Sequence, residues 1–153
     1  METLRNVVAE HRFAQGLEER HVALLTGCAA NVHFNAGQII FREGEEANQF
    51  YLVRDGKVAV ELFAAERGAI TILTLAAGEV LGWSWLVPPY RWKFDARALE
   101  STRAIALDGK CLRTKAEQDH DLGYELLKRV AHTMEERLQA TRLQLLNIYE
   151  VHP

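Results

Sequence analysis

The sequence predicts a mainly β protein with flanking helices, arranged as a sandwich or barrel rather than as a parallel sheet. Between Asn31 and Leu75, short runs of alternating apolar and polar residues are separated by turns that contain glycine, which is typical of antiparallel folds. Segments with a helical period come before and after this region. The chain has 153 residues, of which 48% are hydrophobic, enough to bury an ordinary core. We therefore expect residues 1–153 to form a single domain.

Residues 1–30 are predicted to form a small helical cap. Apolar residues recur there at helical spacing, Gly16 breaks the segment, and Gly27 stands in the position of a C-terminal glycine. Residues 31–107 hold the predicted strands, and Asp55-Gly56 predicts a hairpin between two of them. The predicted strands are Asn31–Phe34, Ile39–Phe41, Phe50–Val53, Val58–Phe63 and Ile70–Leu75, then a closing strand over Ala96–Ala106 that is interrupted at residues 100–102.

Residues 108–150 are predicted to be helical. Asp108 is placed to cap a short helix that ends near Glu117, and a last helix begins at Asp119 or Asp121. At 1.5 Å per residue the last helix is roughly 40 Å long, which is more than a β domain of this size can cover. Part of its apolar stripe is therefore expected to pair with a second copy; alternatively, the whole stripe packs on its own barrel. The stripe comprises Leu122, Leu126, Val130, Met134, Leu138, Thr141, Leu145 and Ile148.

The segment Gly78–Ala98, GEVLGWSWLVPPYRWKFDARA, is called the aromatic stretch below. It holds all three tryptophans, although aromatic residues are only 8% of the chain. We expect it to form a hairpin bounded by glycines. Aromatic side chains with a few charges are typical of the wall of a small-molecule pocket. They are equally suited to plug one end of a small barrel, because large aromatic side chains dominate core burial.

The composition argues against several classes of function. A net charge of −3 gives no basic surface of the kind that binds nucleic acid. The N-terminus lacks the apolar run of a signal peptide, and no stretch is long enough to span a membrane. We therefore expect a cytoplasmic protein without a membrane partner. Cys28 and Cys111 lie in unrelated contexts and are expected to be buried or idle thiols in a reducing compartment.

The residue pattern also argues against an enzyme. A metal centre on a jelly-roll scaffold needs two or three histidines on adjacent strands, but His33 is the only histidine of the β region. The sequence contains neither a nucleophile–base pair nor a glycine-rich phosphate loop. We therefore expect no catalytic residues, no metal and no cofactor. The other histidines, His11, His21, His120, His132 and His152, fall in predicted helices or at the C-terminus.

The segment GQIIFREGEEANQFYLVRDGKVAVEL resembles the first half of the cyclic nucleotide-binding domain of the bacterial catabolite activator protein (Crp/Fnr) family. Gly37, Gly44 and Gly56 lie where that family has turn glycines, and GEVLG at residues 78–82 matches the lead into its phosphate-binding cassette. ARALE at residues 96–100 matches the strand that follows the cassette. The resemblance covers about residues 10–148. It implies a double-stranded β-helix jelly roll with a long C-terminal helix, residues 121–149, as the interface of a homodimer.

The residues that hold the nucleotide in that family are not matched. The family has a glutamate for the ribose hydroxyl after the cassette glycine, but here Trp83 follows Gly82. The arginine that clamps the cyclic phosphate aligns with Trp92, which Arg91 and Lys93 flank. An indole has only a donor, whereas a cyclic phosphate needs a cation with fork geometry. We expect the usual mode of cyclic AMP binding to lose several kcal/mol, at roughly 1.5–3 kcal/mol per charged hydrogen bond.

The charged residues around the cassette are expected to have different roles. Glu79 is expected to hold the turn before the cassette rather than a ligand. Arg97 is expected at the surface, with a ligand role as the alternative. Arg91 and Lys93 are the best candidates for meeting an anion, and Asp95 is placed to pair with either of them instead.

The sequence therefore favours a stand-alone regulatory or sensor module whose ligand, an unknown small molecule, is not ordinary cyclic AMP, or a degenerate domain that has lost its ligand. Two alternatives stay open. One is a protein-interaction module in which the aromatic stretch is core or a docking patch and Pro88-Pro89-Tyr90 is a rigid surface turn. The other is a cyclic nucleotide binder that uses Arg91 or Lys93 for the phosphate. No DNA-binding domain is expected, because the sequence stops soon after the last helix. The candidate ligand-binding residues are Gly82, Trp83, Ser84, Trp85, Arg91, Trp92 and Lys93.

Overall fold

The computed structural model describes residues 3–151, with side chains through Tyr149; Met1, Glu2, His152 and Pro153 lie outside the described residues. The helices are α1 Leu4–Glu10, α2 Glu19–Thr26, α3 Gly109–Gln118 and α4 His120–Val151, with a 3₁₀ turn at Arg12–Ala14. The strands are β1 Ala29–Phe34, β2 Ile39–Phe41, β3 Gln49–Asp55, β4 Val58–Ala64, β5 Gly68–Leu75, β6 Val80–Leu81, β7 Asp95–Ala98 and β8 Thr102–Asp108. The predicted mainly β class with flanking helices is confirmed.

The strands form two four-stranded sheets, in the orders β1-β8-β3-β6 and β2-β7-β4-β5. Every pair in both sheets is antiparallel. The long β4–β5 hairpin closes through a turn in which Arg67 N–H donates to Ala64 O at 3.0 Å. Strands that follow one another in the chain often belong to different sheets, which is how the chain encloses its interior.

Asp55-Gly56 does not close a hairpin, contrary to the prediction. β3 pairs with β6 and β8, whereas β4 pairs with β5 and β7, so this turn carries the chain from one sheet to the other. Gly56 has a φ of +96°, and a Cβ there would lie 2.3 Å from Thr102 Oγ1. The glycine is needed for the turn, but a local turn signal does not specify the partner of the strand that follows.

Two further predictions are wrong for the same reason. The predicted closing strand over Ala96–Ala106 is two strands, β7 in one sheet and β8 in the other. The chain crosses between the sheets after Ala98, where Leu99 N–H donates to Lys57 O at 2.8 Å. The aromatic stretch is not a hairpin, because β6 at its start pairs with β3 while β7 at its end pairs with β2 and β4.

The N-terminal helical cap is present as predicted. Thr3 caps α1 by accepting a hydrogen bond from Asn6 N–H at 3.2 Å. Gly27 ends α2 as predicted, but its φ of −63° is right-handed, unlike the left-handed conformation usual for a glycine at this position. Lys115 Nζ instead donates to Leu24 O at 2.8 Å, and a cation from α3 thus satisfies a carbonyl at the end of α2.

Two buried clusters hold the fold together. The first core joins the N-terminal helices, the β1-β8-β3-β6 sheet and the start of α4; it includes Val8, Leu25, Phe50, Trp85, Ile105, Leu112 and Leu122. The second core lies among the strands that flank the aromatic stretch; it comprises Phe41, Ala47, Val53, Val58, Val60, Leu75, Leu81, Trp92 and Ala96. The aromatic stretch contributes a tryptophan to each core, so it connects them.

The C-terminal helices follow the predictions closely. Asp108 caps α3 by accepting from Cys111 N–H at 2.9 Å, and Asp119 Oδ1 accepts from Leu122 N–H at 3.2 Å at the start of α4. Only the first part of the α4 stripe is packed on the domain, so the alternative that the whole stripe covers its own barrel is excluded. Leu122, Leu126 and Val130 are buried, whereas Met134, Leu138, Leu145 and Ile148 are exposed.

Cys28 and Cys111 form a disulfide, which corrects the expectation of separate thiols. Their Cα atoms are 5.7 Å apart, although 83 positions separate them in the sequence. They meet because Asp108 N–H donates to Cys28 O at 2.9 Å, which places the start of β1 beside the start of α3. The bond closes one covalent loop around all eight strands of the described chain.

Reduction of this disulfide is expected to lower the free energy of unfolding by about 4.5 kcal/mol, because opening so long a loop restores conformational entropy to the unfolded chain. Urea unfolding with and without a thiol reductant measures the change. The Cys28→Ser/Cys111→Ser variant serves as the control. Its free energy of unfolding should equal that of the reduced protein and should not change when reductant is added. Equal midpoints for oxidised and reduced protein would contradict the prediction.

Candidate ligand site

The second half of the aromatic stretch is fastened to the loop between β2 and β3 by backbone hydrogen bonds. Gly44 N–H donates to Trp92 O at 2.9 Å, Trp92 N–H donates to Glu45 O at 3.0 Å, and Ala47 N–H donates to Tyr90 O at 2.8 Å. These bonds leave residues 90–92 little freedom to change register. The position of Trp92 is therefore fixed by the backbone as well as by its side chain.

Trp92 lies in the second core rather than on an open pocket wall. Its ring stacks on Phe41 with the centroids 3.7 Å apart and the planes 6° from parallel, and the residue is 3% exposed. Gly82 has a φ of +85°, and a Cβ there would lie 2.3 Å from Trp92 Cζ3. The indole thus fills the space directly above Gly82, and only glycine allows this approach.

Trp85 belongs to the first core. It is 0% exposed, and its ring centroid lies 5.2 Å from that of Phe50. Arg113 of α3 holds this part of the chain: its Nη1 donates to Trp85 O at 2.5 Å, and its Cζ lies 4.2 Å from the centre of the Tyr90 ring. Tyr90 itself has a φ of +58°, a conformation rare for a bulky residue, and the Arg113 contact helps to hold it.

Trp83 is half-buried and faces α4. The Arg137 guanidinium lies over its ring, with Cζ 5.1 Å from the centroid, and Arg137 Nη2 also donates to Val80 O. Burial lowers the pKa of Arg137, and the nearby carboxylates of Glu79 and Glu136 partly offset that effect. A cation at an indole face is favourable, so this contact ties the start of the aromatic stretch to the long helix.

The three tryptophans therefore do not build one wall: Trp92 lies in the second core, whereas Trp85 lies in the first core and Trp83 packs against its edge. Gly82 and Trp92 are in contact. Ser84, two residues after Gly82, is also buried. Arg91 and Lys93 are exposed, and Arg91 Nη1 donates to Gly44 O at 3.1 Å. The two cations thus lie on the outer side of the stretch, while the indole between them lies inside.

The neighbouring charged residues have structural partners. Glu79 holds its turn as predicted, since its Oε1 accepts from Ala76 N–H at 3.1 Å. Asp95 accepts from Glu43 N–H at 2.7 Å. Arg97 makes two hydrogen bonds to Glu61, at 3.0 and 2.9 Å, and this contact lowers the pKa of the Glu61 carboxyl against the opposing effect of burial.

Phe41, Arg113 and Arg137 carry no signal in the sequence that marks them as site residues. Phe41 is recognisable only as an apolar strand residue, and the two arginines are ordinary polar positions of amphipathic helices. Their importance comes from contacts with residues distant in the sequence, such as Phe41 with Trp92 and Arg137 with Trp83, which periodicity does not encode. Within residues 3–149, no group of three or more His, Cys, Asp or Glu side chains is arranged to hold a metal ion. None of the described helices is both long and apolar enough to cross a membrane.

Residues 31–119 match the model of the cyclic nucleotide-binding domain family. The chain belongs to that family. This cyclic nucleotide-binding domain is 24% identical, over 128 residues, to a CRP-like cAMP-activated global transcriptional regulator of Mycobacterium tuberculosis. The match covers 84% of this chain and 57% of that regulator, so the chain spans little more than half the length of its relative.

Solved structures share the fold. A structure named as a cyclic nucleotide-binding protein from Geobacter metallireducens is 25% identical, with a TM-score of 0.79 over 90% of this chain and 99% of that one. A cyclic nucleotide-binding domain from Methylobacillus flagellatus is 17% identical, with a TM-score of 0.82 over 94% of this chain and 83% of that one. The predicted jelly roll and the resemblance to the Crp/Fnr family are confirmed.

Replacing Trp92 with alanine is expected to lower the free energy of unfolding by about 3–5 kcal/mol, the range for deleting a large buried aromatic side chain. Chemical unfolding followed by circular dichroism measures the loss. Trp83→Ala is the matched control: it removes the same side chain from a half-buried position and should lose less than half as much. Equal losses in the two variants would show that Trp92 is not packed as described.

Proposed function

We propose that this domain is a regulatory module that does not bind cyclic AMP in the usual way. The observation that supports the proposal is the position of Trp92, which occupies the cassette position of the phosphate-clamping arginine and fills the space above Gly82. Trp83, which stands at the position of the ribose-binding glutamate, lies under Arg137 instead. A nucleotide would have to displace a stacked, buried indole. It would then find neither the arginine that clamps the phosphate nor the glutamate that binds the ribose hydroxyl.

We infer that the domain acts as a homodimer and signals through a pair of α4 helices. The exposed half of the α4 stripe supports this, because an apolar face of this length is typical of a helix–helix interface. Arg137 connects the same helix to the aromatic stretch through Trp83 and Val80. A change at the stretch would thus bias the arrangement of the helix pair.

The proposal assigns the module a regulatory rather than a catalytic role. We expect its partners to be small molecules or proteins rather than nucleic acid, in keeping with the net charge of −3. A cytoplasmic location is part of the proposal. There, reducing thiols would act on the Cys28–Cys111 bond, so the stability of the domain would depend on the thiol pool.

Cyclic AMP and cyclic GMP are expected to leave the melting temperature of the domain unchanged. A ligand present at 100 times its dissociation constant would add about 2.7 kcal/mol, so binding in the usual mode would be easily detected. Differential scanning fluorimetry with 5′-AMP as the control nucleotide makes the comparison. A shift with cyclic AMP that 5′-AMP does not produce would contradict the proposal, and its loss in Arg91→Gln would assign the phosphate to Arg91.

Leu138→Glu is expected to convert the dimer to monomer, because it places a charge in the middle of the apolar stripe. Sedimentation velocity measures the change at several protein concentrations. Leu99→Glu is the matched control: Leu99 is also an exposed leucine, but it lies in the turn between β7 and β8. Wild-type protein that sediments as a monomer, or a Leu138→Glu variant that stays dimeric, would refute the dimer.

A further inference from the structure

A cavity of about 750 Å³ lies between the middle of α4, the turn before β6 and the 3₁₀ turn near the N-terminus. Its volume is within the range of small-molecule sites, which are roughly 300–1,000 Å³. Phe13, Leu73 and Val80 supply apolar walls from three separate elements. This α4 cavity is lined by none of the seven candidate residues of the aromatic stretch, so it is a different place from the one the sequence indicated.

The polar lining of the α4 cavity is predominantly cationic. Arg12, Lys128, Arg129 and Arg137 line it, against the carboxylates of Glu79 and Glu136. Both carboxylates already have partners: Glu79 accepts from Ala76 N–H at 3.1 Å, and Glu136 lies 3.4 Å from His132 Nε2. Lys128 and Arg129 pair with Glu125 at 3.1 and 3.4 Å, so the positive excess at the cavity rests on Arg12 and Arg137. In a chain whose net charge is −3, this excess favours an anionic occupant.

The three arginines are held in place by backbone carbonyls. Arg12 Nε donates to Gly78 O at 3.3 Å, and Arg129 Nη1 donates to Phe13 O and Gln15 O at 2.7 Å each. Arg137 Nη2 donates to Val80 O. A guanidinium has five N–H donors, so such anchoring fixes its direction while other donors remain on the group. Guanidinium groups fixed in this way are preorganised, so they can bind a carboxylate or phosphate with little further loss of side-chain entropy.

The α4 cavity and the apolar stripe lie on different sides of the helix. The cavity is lined by Arg129, Thr133, Glu136 and Ala140, which recur at helical spacing, whereas the exposed stripe includes Met134 and Leu138. At 100° per residue, Arg129, Thr133, Glu136 and Ala140 are about 100–160° from Met134 around the axis, whereas Arg137, at the border of the cavity, is about 60° from it. A dimer formed through the stripe would therefore leave the cavity open to ligand.

We propose that the α4 cavity binds an organic anion, a carboxylate or phosphate group carried on an apolar body. The anionic group would meet the guanidinium groups of Arg12 and Arg137, and the apolar body would lie against Phe13, Leu73 and Val80. Such a ligand would join α4 to the turn that leads into the aromatic stretch. This inference rests on the proposed regulatory function, because it names the class of ligand that would move the α4 helices.

The test uses the full chain and isothermal titration calorimetry with four probes. Two are acids with an apolar body, 2-naphthoate and octanoate; inorganic phosphate is the head group alone, and 2-naphthylmethanol is a neutral analogue. We expect one or both acids to bind and the neutral analogue to bind at least tenfold more weakly. Tighter binding of octanoate would indicate a lipid-derived ligand, and tighter binding of 2-naphthoate would indicate a compact acid; either order supports the proposal.

Arg12→Gln is the diagnostic variant, because Arg12 anchors only one backbone carbonyl in the described contacts whereas Arg129 anchors two. It should weaken acid binding about tenfold or more, the loss of one charged hydrogen bond. Arg67→Gln, which removes the same charge from the exposed turn between β4 and β5, should bind as wild type does. If Arg12→Gln does not fold, amide chemical shifts of the wild-type protein take its place, with changes expected at residues 78–80 and 128–140.

The proposal is overturned if neither acid binds, if Arg12→Gln and Arg67→Gln lose affinity equally, or if the shift changes map to residues 83–94. The last outcome would leave the regulatory proposal intact and move its ligand to the aromatic stretch. The regulatory proposal fails on a separate result, a melting shift with cyclic AMP. The two failures are therefore distinguishable.

Discussion

The stacking of Trp92 on Phe41, with the indole edge against Gly82, constrains the second core of this domain. The contact requires a glycine at position 82, because a side chain there would overlap the ring. It also requires the loop between β2 and β3 to lie beside residues 90–92, where backbone bonds to Gly44 and Ala47 hold it. Strand β7 then leaves the loop in register with β2 and β4. The space above Gly82 is thus filled by the chain's own side chain.

The aromatic stretch is also joined to both C-terminal helices, at different points. Arg137 of α4 contacts Trp83 and Val80 at its start, and Arg113 of α3 contacts Trp85 and Tyr90 farther along. The disulfide fixes α3 to the start of β1, whereas α4 carries an exposed apolar face. Under the proposed function, a change at the stretch or in the cavity beside α4 would reach that helix through the contacts of Arg137.

Local patterns predicted the elements but not their partners. Alternating residues and turn glycines located the strands, and Asp108 and the apolar stripe located the helices, because these signals act within a few residues. The Gly56 turn and the Ala96–Ala106 segment were misassigned, since both cross between sheets and sheet membership depends on distant pairing. The same limit explains the missed disulfide and the division of the tryptophans between the two cores. The resemblance to the family predicts that Trp83 and Trp92 stand at its anchor positions, but only the stack on Phe41 shows that Trp92 turns inward.

The most direct test of this account is a nuclear Overhauser measurement between the Trp92 ring protons and those of Phe41 and Gly82, made without and with saturating cyclic AMP. The account predicts strong contacts from the Trp92 ring to both residues, unchanged by the nucleotide. Loss of these contacts on addition of cyclic AMP, with new ones between the nucleotide and Gly82, would show that the indole moves aside. That result would contradict the claim that the domain's own tryptophan occupies the site.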